Sequence, residues 1–532
     1  MLVLGIEGTA HTVSAGIVSE ERILSNVNST YLPPAGGIHP REAAIHHSTE
    51  IVTVIRKSLA EANAEMKDID AVAFSSGPGL GPCLRVAATA ARTLSIKFGK
   101  PIVRVNHPLG HIEIGRKLTG AVDPAMLYVS GGNTQVLAHI NGRYRVIGET
   151  IDIGVGNMLD KLARVFGISF PGGPQIERMA AIGSELHELP YSVKGMNCSF
   201  SGILTAALAL KKAGKKPEDI FFSVQETAFA MLVEILERAL YLTGKKEIMI
   251  AGGVARNDRL RQMITEMAAE SGYDAKLTDK QYCMDNGAMI AQAGMLIYKA
   301  RGGERIEETQ INQRERIDSV DAPWIKSGKL YPAMGTGAES VTSKDTFYGR
   351  DVVLKRRLSK KYRNPLLDSR IKTMRQRTEF ILLKKMNELG IGVPVVYDYN
   401  PFNNSLTLGS IKGVMLSQYL AEAREYQAVI SKLGKTIGTI HTKRITHGDL
   451  TTNNIIVADN KVYLIDPSMG RMDSTVEDMA SDIFLLSESF RSLNSNVTDL
   501  VDIFMDSYNR SFRDSSLVLE TLNLMEKRRR YV

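Results

Sequence analysis

His107 and His111 lie one helical turn apart, and this spacing is the first feature of the chain that could support chemistry. Asn106 is a suitable N-cap and Pro108 suits the first turn of a helix, so both imidazoles would project from one helix face. Such a pair can bind a metal, and Asp285, at the start of another predicted helix, could complete a three-ligand site. Two surface or capping histidines are the alternative interpretation. No glutamate follows His107, so the general base of a zinc peptidase is missing and proteolysis is disfavoured.

A second group of residues has the spacing of a protein-kinase catalytic loop. Within the segment 447–454, Asp449 would position or deprotonate an acceptor group and Asn454 would hold a metal. Asp466 follows a predicted strand at 461–465, as the metal-binding aspartate of a kinase does. This spacing predicts a site for ATP and Mg²⁺.

Residues upstream of that loop complete the predicted ATP site. Lys355 ends a predicted strand at 352–354, and Glu379 lies on a predicted helix at 366–388, so the two would form the ion pair that holds nucleotide phosphates. A turn that would cover the phosphates contributes Gly335, Gly337, Ala338 and Glu339.

The kinase-like motifs depart from the usual pattern at three places. Pro467 and Ser468 follow Asp466 where Phe-Gly is usual, Gly448 replaces an arginine, and no Ala-Pro-Glu segment follows. The short remainder of the chain leaves little room for an activation segment or a peptide-docking lobe. These departures favour ATP hydrolysis or autophosphorylation over signalling kinase activity.

Three glycine-containing turns follow predicted strands in the first 320 residues. The turns at 8–10 and 130–134 each join two strands, and 252–253 follows a strand at 247–251 and precedes a helix that begins near Asn257. Glycines at such places let backbone N–H groups approach an anion, and a helix N-terminus adds a favourable dipole. The three turns together predict a phosphate clamp. The strands around the first two turns are predicted at 2–7, 14–19, 127–129 and 135–137.

Length and composition limit the class of protein. At 532 residues the chain is too long for one hydrophobic core. No long apolar run is present and the N-terminus runs into acidic Glu7, so we expect no membrane helix, no signal peptide and a cytoplasmic location. The net charge of +8 favours a polyanionic partner such as nucleic acid, and basic residues cluster at 355–377 and 527–530. Three cysteines, expected to be buried, fit a reducing compartment.

The succession of predicted strands and helices is interrupted around Trp324, which predicts a linker. Proline lies at both ends of the segment 323–332, and no periodicity is present. We therefore predict a first domain at 1–322, a linker at 323–332 and a second domain at 333–532.

The first domain resembles the universal tRNA threonylcarbamoyladenosine transferases, the catalytic subunits of the KEOPS complex. The matching segments, in family order, are GIEGTA at 5–10, SSGPGLG at 75–81, HPLGH at 107–111, YVSGGNT at 128–134, GGP at 172–174, AGGVARN at 251–257 and DNG at 285–287. The resemblance implies a two-lobed α/β fold of the ASKHA class, which includes actin and sugar kinases. It also implies transfer of threonylcarbamoyl from threonylcarbamoyl-AMP to adenosine 37 of tRNAs that read ANN codons.

The same resemblance implies roles for individual residues. His107, His111 and Asp285 would bind one divalent metal, Fe or Zn, and Tyr128 would approach it. The adenylate would be held by Tyr128, Val129, Ser130, Gly131, Gly132, Asn133, Asp160, Gly173, Glu177 and Asn257.

The second domain, α+β, resembles the small atypical kinase/ATPase of the KEOPS complex. A fusion of the two implies a bifunctional tRNA-modification enzyme in which ATP turnover supports or regulates the transfer, with tRNA and other KEOPS-type subunits as partners. Two alternatives remain at this point: a metalloprotease, and a kinase-like domain that only binds tRNA or regulates its neighbour.

Overall fold

The computed structural model describes residues 1–33, 37–325, 340–422, 425–492 and 499–529. Its described residues separate into two compact units. The first contains 1–192 and 198–325, and the second contains 193–197 and 340–529. None of the described helices combines the length and the apolar composition that crossing a membrane requires.

The first unit opens with a five-stranded sheet in the order β3-β2-β1-β4-β5. Strands β1 and β2 are antiparallel, whereas β1, β4 and β5 are parallel. Apolar residues of these strands and of two helices form its buried core. The elements are β1 Leu2–Glu7, β2 Thr12–Ser19, β3 Ile23–Thr30, α1 Pro40–Glu61, β4 Ala71–Gly77, α2 Gly81–Phe98, β5 Ile102–Asn106 and α3 His107–Thr119.

A second sheet in the same unit repeats this topology. Its order is β12-β11-β6-β7-β8, so again an antiparallel three-stranded meander is extended by strands parallel to its first member. The elements are β6 Ala125–Val129, β7 Thr134–Ile140, β8 Arg143–Glu149, α4 Val155–Val165, α5 Gly173–Ala180, α6 Ser201–Lys212, α7 Pro217–Thr243, β11 Glu247–Ala251, α8 Asp258–Ser271, β12 Asp274–Ala275 and α9 Gly287–Arg301. Two short strands between α5 and α6, β9 Val193–Lys194 and β10 Asn197–Cys198, pair with each other, and residues 193–197 belong to the second unit.

Helix α9 returns to the first sheet and crosses it closely. Gly5 and Gly16 lie under the helix, where a Cβ on either residue would collide with the backbone of residues 287–291. Only glycine permits this approach. It brings the N-terminus of α9 to the end of the sheet at which α3 begins.

The second unit combines an antiparallel sheet with a helical part. The sheet has the order β13-β14-β16-β15, and a smaller sheet has the order β17-β18-β19. One buried apolar cluster extends through the helical part. The elements are β13 Ser340–Phe347, β14 Arg350–Arg357, α10 Pro365–Glu388, β15 Val396–Asn400, β16 Ser405–Gly409, β17 Val414–Met415, α11 Leu416–Glu422, α12 Gln427–Thr442, β18 Ile455–Ala458, β19 Lys461–Leu464, α13 Val476–Ser492, α14 Leu500–Ser511 and α15 Ser515–Arg529.

Several predicted elements have the predicted bounds, and others differ. The strands at 2–7 and 247–251 are confirmed without a shift. The strand predicted at 352–354 is wrong in its length, because β14 extends to Arg357. Trp324 and Ile325, at the start of the predicted linker, pack on the core of the first unit, and Ile325 is buried there. The division at 322 and 332 stays a prediction. All three cysteines are buried and free of disulfides, as expected.

Candidate functional site

His107, His111 and Asp285 converge in the first unit. Helix α3 presents both histidines, and its predicted cap is confirmed, because the Asn106 side chain accepts a hydrogen bond from the N–H of Leu109 at 3.3 Å. Asp285 Oδ1 lies 3.4 Å from His107 Nε2 and 3.3 Å from His111 Nε2. One ligand atom from each of the three side chains lies within 4.8 Å of the others. This donor set of two imidazoles and one carboxylate fits a transition metal.

The second nitrogen of His107 has partners that the sequence analysis missed. Its Nδ1 lies 3.1 Å from Glu7 Oε2 and 3.2 Å from Thr9 Oγ1, and Glu7 also accepts from the N–H and hydroxyl of Thr9. Glu7 is fully buried at the end of β1. A carboxylate on Nδ1 fixes the tautomer that directs Nε2 toward Asp285. Because a hundred residues separate Glu7 from His107, no spacing in the sequence indicates this contact.

The surroundings of this cluster shift the pKa values of the two histidines in opposite directions. Burial lowers the pKa of His107, but the carboxylates of Glu7 and Asp285 outweigh it and hold that pKa well above its usual value. Burial leaves the pKa of His111 below its usual value. Burial would raise the pKa of Asp285, yet the two imidazoles keep it well below the usual range. Asp285 is therefore ionised, as a metal ligand must be.

Tyr128 lies at the same cluster. Its ring centroid is 5.3 Å from that of His111, and the side chain is buried at the end of β6. Burial raises the pKa of the phenol. The structure thus places Tyr128 beside His111.

The glycine turns of the second sheet lie against each other. Gly252 has a φ of 93°, and a Cβ there would collide with the carbonyl of Val129, so the turn at 252–253 packs on the turn at 130–133. Helix α4 begins against the same turn, where the N–H of Asn157 donates to the carbonyl of Gly131 at 2.8 Å. Gly131 and Gly132 are exposed. These glycines leave backbone groups open to a ligand.

The other predicted adenylate residues hold neighbouring helix N-termini. Asp160 Oδ1 accepts from the N–H of Gly172 at 2.8 Å, just before Gly173 starts α5. Glu177 Oε1 accepts from the N–H of Asp258 at 2.6 Å, at the start of α8. Asn257 caps α8 and donates to the side chain of Gln225 at 3.0 Å. In the structure, these side chains have protein partners.

Lys355, Glu379 and Asp466 converge in the second unit. Lys355 Nζ lies 2.6 Å from Glu379 Oε1 and 2.8 Å from Asp466 Oδ2. The sequence analysis missed Arg357, whose Nη2 lies 2.8 Å from Glu379 Oε2. Arg357 lies two positions after Lys355, and the two-residue period of a strand puts both side chains on one face. That spacing is the signal that could have predicted Arg357. Lys355 and Arg357 overcome the effect of burial and strongly lower the pKa of Asp466.

The catalytic-loop residues lie beside each other. Asn454 Nδ2 donates to Asp449 Oδ2 at 3.1 Å and to the Asp449 carbonyl at 2.8 Å. Buried Asp482 of α13, also missed, accepts from the N–H groups of His447 at 2.6 Å and Gly448 at 2.8 Å. Asp482 therefore fixes the backbone of the loop. The predicted phosphate-covering residues, Gly335, Gly337, Ala338 and Glu339, lie outside the described residues.

Comparisons with known proteins identify the family to which the chain belongs. Residues 22–292 match the tRNA N6-adenosine threonylcarbamoyltransferase family (TsaD), and residues 342–500 match the RIO domain. A probable bifunctional tRNA threonylcarbamoyladenosine biosynthesis protein from Thermoplasma acidophilum is 55% identical over 532 residues and 100% of both chains. The chain belongs to that family. Relatives with the same name occur in Methanothermobacter thermautotrophicus, at 47% identity over 92% of both chains, and in Methanocaldococcus jannaschii, at 41% over 100% of both.

The family membership confirms the predicted fold class and function. The first unit is an ASKHA-like threonylcarbamoyltransferase and the second is kinase-like, so the chain is a bifunctional tRNA-modification protein. This result supports the transferase interpretation over the metalloprotease. Among solved structures, full-length HypF in its phosphate- and nucleotide-bound form aligns with 57% of this chain and 56% of its own at 13% identity and a TM-score of 0.43.

Proposed function

We propose that the first unit transfers threonylcarbamoyl from threonylcarbamoyl-AMP to the exocyclic amine of adenosine 37 in tRNAs that read ANN codons. The convergence of His107, His111 and Asp285 is the observation that carries this proposal. An adenine amine is a poor nucleophile, but the acyl-adenylate has a good leaving group. The protein therefore needs mainly to align the two and to stabilise the negative charge that develops.

His107, His111 and Asp285 would hold one divalent metal, iron or zinc, and the transferase family is metal-dependent. Two imidazoles with one carboxylate suit both ions. When bound, the ion supplies Lewis acidity toward a phosphate or carbamoyl oxygen. Glu7 would keep the proton of His107 on Nδ1, so that Nε2 faces the ion. Tyr128 would contact the substrate or the ion from the end of β6.

The glycine turns would hold the adenylate. Backbone N–H groups of Gly131 and Gly132 and the start of α5 at Gly173 would receive the phosphate and ribose, because helix N-termini and exposed N–H groups favour anions. Ser130, whose own N–H donates to the carbonyl of Asn133 at 2.8 Å, would fix the shape of that turn. Asp160 would position the start of α5, and Glu177 and Asn257 would position the start of α8, through the hydrogen bonds described above. Val129 would form the floor of the site.

The second unit would bind ATP with Mg²⁺, as RIO domains do. Lys355 and Glu379 would position the phosphates, Asn454 and Asp466 would hold Mg²⁺, and Asp449 would orient or deprotonate the acceptor. We propose ATP hydrolysis or autophosphorylation that supports the transfer. We further propose tRNA and other KEOPS-type subunits as partners, with the basic stretch 355–377 as one region of phosphate contact.

The test of the transfer uses unmodified tRNA, threonine, bicarbonate, ATP and the adenylate-forming enzyme. We expect His111→Ala to lose bound metal and to reduce transfer at least about a hundredfold, because a missing ligand weakens a metal site strongly. His39→Ala, an exposed histidine before α1, is the matched control. Metal content comes from elemental analysis of the purified variants. Full metal occupancy in His111→Ala would rule out this site.

A further inference from the structure

His11 ends the turn that joins β1 to β2, and this turn runs beside the metal cluster. Thr9, on the same turn, places its Oγ1 3.2 Å from Nδ1 of His107. Two hydrogen bonds hold the backbone of the turn. The N–H of Leu80 donates to the carbonyl of Thr9 at 2.7 Å, and the N–H of Tyr31 donates to the carbonyl of His11 at 2.8 Å. The side chain of His11 therefore extends from a fixed stretch of backbone.

The imidazole of His11 lies against the loop from which α5 begins. Its ring centroid is 5.5 Å from that of Phe170, and the two rings meet edge to face at 83°. Asp160, which holds the N–H of Gly172 in that loop, also interacts electrostatically with the histidine. Burial raises the pKa of the Asp160 carboxyl, and His11 is among the groups that oppose this rise. His11 is thus close both to the metal cluster and to residues proposed to hold the adenylate.

One ring nitrogen of His11 is buried without a hydrogen bond. The side chain is half-buried, and its Nδ1 has no partner among the residues that the structure describes. A buried polar atom without a partner is costly, and such atoms are rare in folded proteins. Because the proposed adenylate would lie beside this atom, the ligand itself can supply the partner.

The chemistry of threonylcarbamoyl-AMP narrows that partner to an anionic oxygen. Its negative charges are on the phosphate and on the threonine carboxylate, which lie beyond the ribose on the side of the transferred group. A ligand held near Asp160 that reaches the metal cluster would carry these groups along the turn that ends at His11. An imidazole N–H can donate to either anion, and a hydrogen bond with a charged partner is stronger than one between neutral groups.

We propose that His11 binds threonylcarbamoyl-AMP through a hydrogen bond from its Nδ1–H to an anionic oxygen, of the phosphate or of the threonine carboxylate. This inference rests on the proposed transfer function. It adds a contact from the first sheet, whereas the adenylate residues predicted from the sequence lie between Tyr128 and Asn257.

The experiment measures Kd by calorimetric titration of the full chain with a stable threonylcarbamoyl-adenylate analogue. AMP and adenosine are measured as competitors of that analogue, so that binding elsewhere on the chain does not enter the comparison. His11→Phe keeps an aromatic ring against Phe170 but has no N–H. We expect it to weaken binding of the analogue about tenfold, since a hydrogen bond to a charged group is lost. Adenosine has neither anion and should bind within about twofold of its wild-type affinity.

AMP distinguishes the two anions, because it carries the phosphate without the threonine carboxylate. A similar loss for AMP would assign the contact to the phosphate, and a loss confined to the analogue would assign it to the carboxylate. His46→Phe is the matched control. His46 is also half-buried, and its Nδ1 likewise has no partner among the described residues, but it lies on α1 with its Nε2 3.2 Å from Ser29 Oγ. This variant should bind all three ligands as the wild type does.

Two results would overturn the role of His11. An equal loss for adenosine would mean that the histidine only orders the turn, and an analogue Kd equal to that of the wild type would mean that no contact is made. If His11→Phe does not fold, His11→Leu, which also lacks the ring nitrogen, decides by the same comparison of ligands. A wild-type chain that does not bind the analogue would overturn the proposed adenylate site as well, so the two failures are distinguishable.

Discussion

At the scale of single residues, the metal cluster depends on a side chain that touches no ligand atom of the proposed site. Glu7 faces Nδ1 of His107, on the opposite side of the ring from Asp285. A carboxylate in that place orients the ring and makes the imidazole more basic. The histidine spacing alone therefore describes only part of what makes the cluster a binding site.

Glu7→Gln tests this orientation. We expect metal affinity to fall about 10- to 100-fold while the fold is retained, because the amide can still accept from His107 but carries no charge. Competition with a chelator measures the affinity. Glu113→Gln is a matched control. Glu113 is a buried glutamate on α3, the helix that carries His107, and its partners include Arg116 and Tyr144. Equal losses in both variants would assign the effect to burial of an amide rather than to His107.

At the scale of elements, the close approach of α9 to β1 and β2 brings Asp285 to α3. Gly5 has the backbone of Gly287 and Ala291 directly above it. We expect Gly5→Ala to destabilise the first unit by about 3 kcal/mol and to lower metal occupancy, because α9 must move and Asp285 precedes it. Thermal unfolding and elemental analysis measure the two effects.

Gly202→Ala is the control for that substitution. Gly202 lies exposed in the first turn of α6, and the nearest atoms to a new Cβ belong to Pro190, at 3.7 Å. Alanine there should leave the unit as stable as before or slightly more stable. If Gly5→Ala were equally harmless, the tight contact between β1 and α9 would not be required for the cluster.

Patterns of neighbouring residues in the sequence predicted elements that hold the proposed site, but they did not predict contacts between residues far apart in the chain. The cap at Asn106 and the strand at 247–251 follow from neighbouring residues alone, and both are confirmed. Strand β3 was missed because five of its eight residues are polar and only one is buried, as suits an edge strand. The pairing of Glu7 with His107 depends on how distant strands meet, which no local pattern encodes.

At the scale of the whole molecule, the two sites draw their residues from different units. Asp466→Ala should therefore abolish ATP hydrolysis and leave the affinity of the first unit for a stable threonylcarbamoyl-adenylate analogue within about twofold. Calorimetric titration of the full chain measures that affinity. In the converse variant, His111→Ala, we expect ATP hydrolysis to be normal. Loss of adenylate-analogue binding in Asp466→Ala would mean that the two sites are coupled.

The basic end of the chain gives a prediction about tRNA. Residues 527–530 are Lys-Arg-Arg-Arg, and Tyr531 follows them. Helix α15 begins at Ser515 and extends to Arg529. Cations at a helix C-terminus are favourable for the helix itself, so a capped helix end is the alternative to a tRNA contact.

Deleting residues 527–532 distinguishes the two interpretations. If the cations neutralise tRNA phosphates, the truncated chain should bind tRNA more weakly, with a flatter dependence of affinity on salt concentration, because fewer counterions are released. Loss of Tyr531 would add to the effect if that ring stacks on an exposed base. ATP hydrolysis without tRNA should change little, and its stimulation by tRNA should fall. A second variant, in which glutamine replaces Lys527, Arg528, Arg529 and Arg530, keeps the length of the chain constant. If both variants bind tRNA with the affinity and the salt dependence of the wild type, the cations serve only as a favourable helix end and do not contact tRNA.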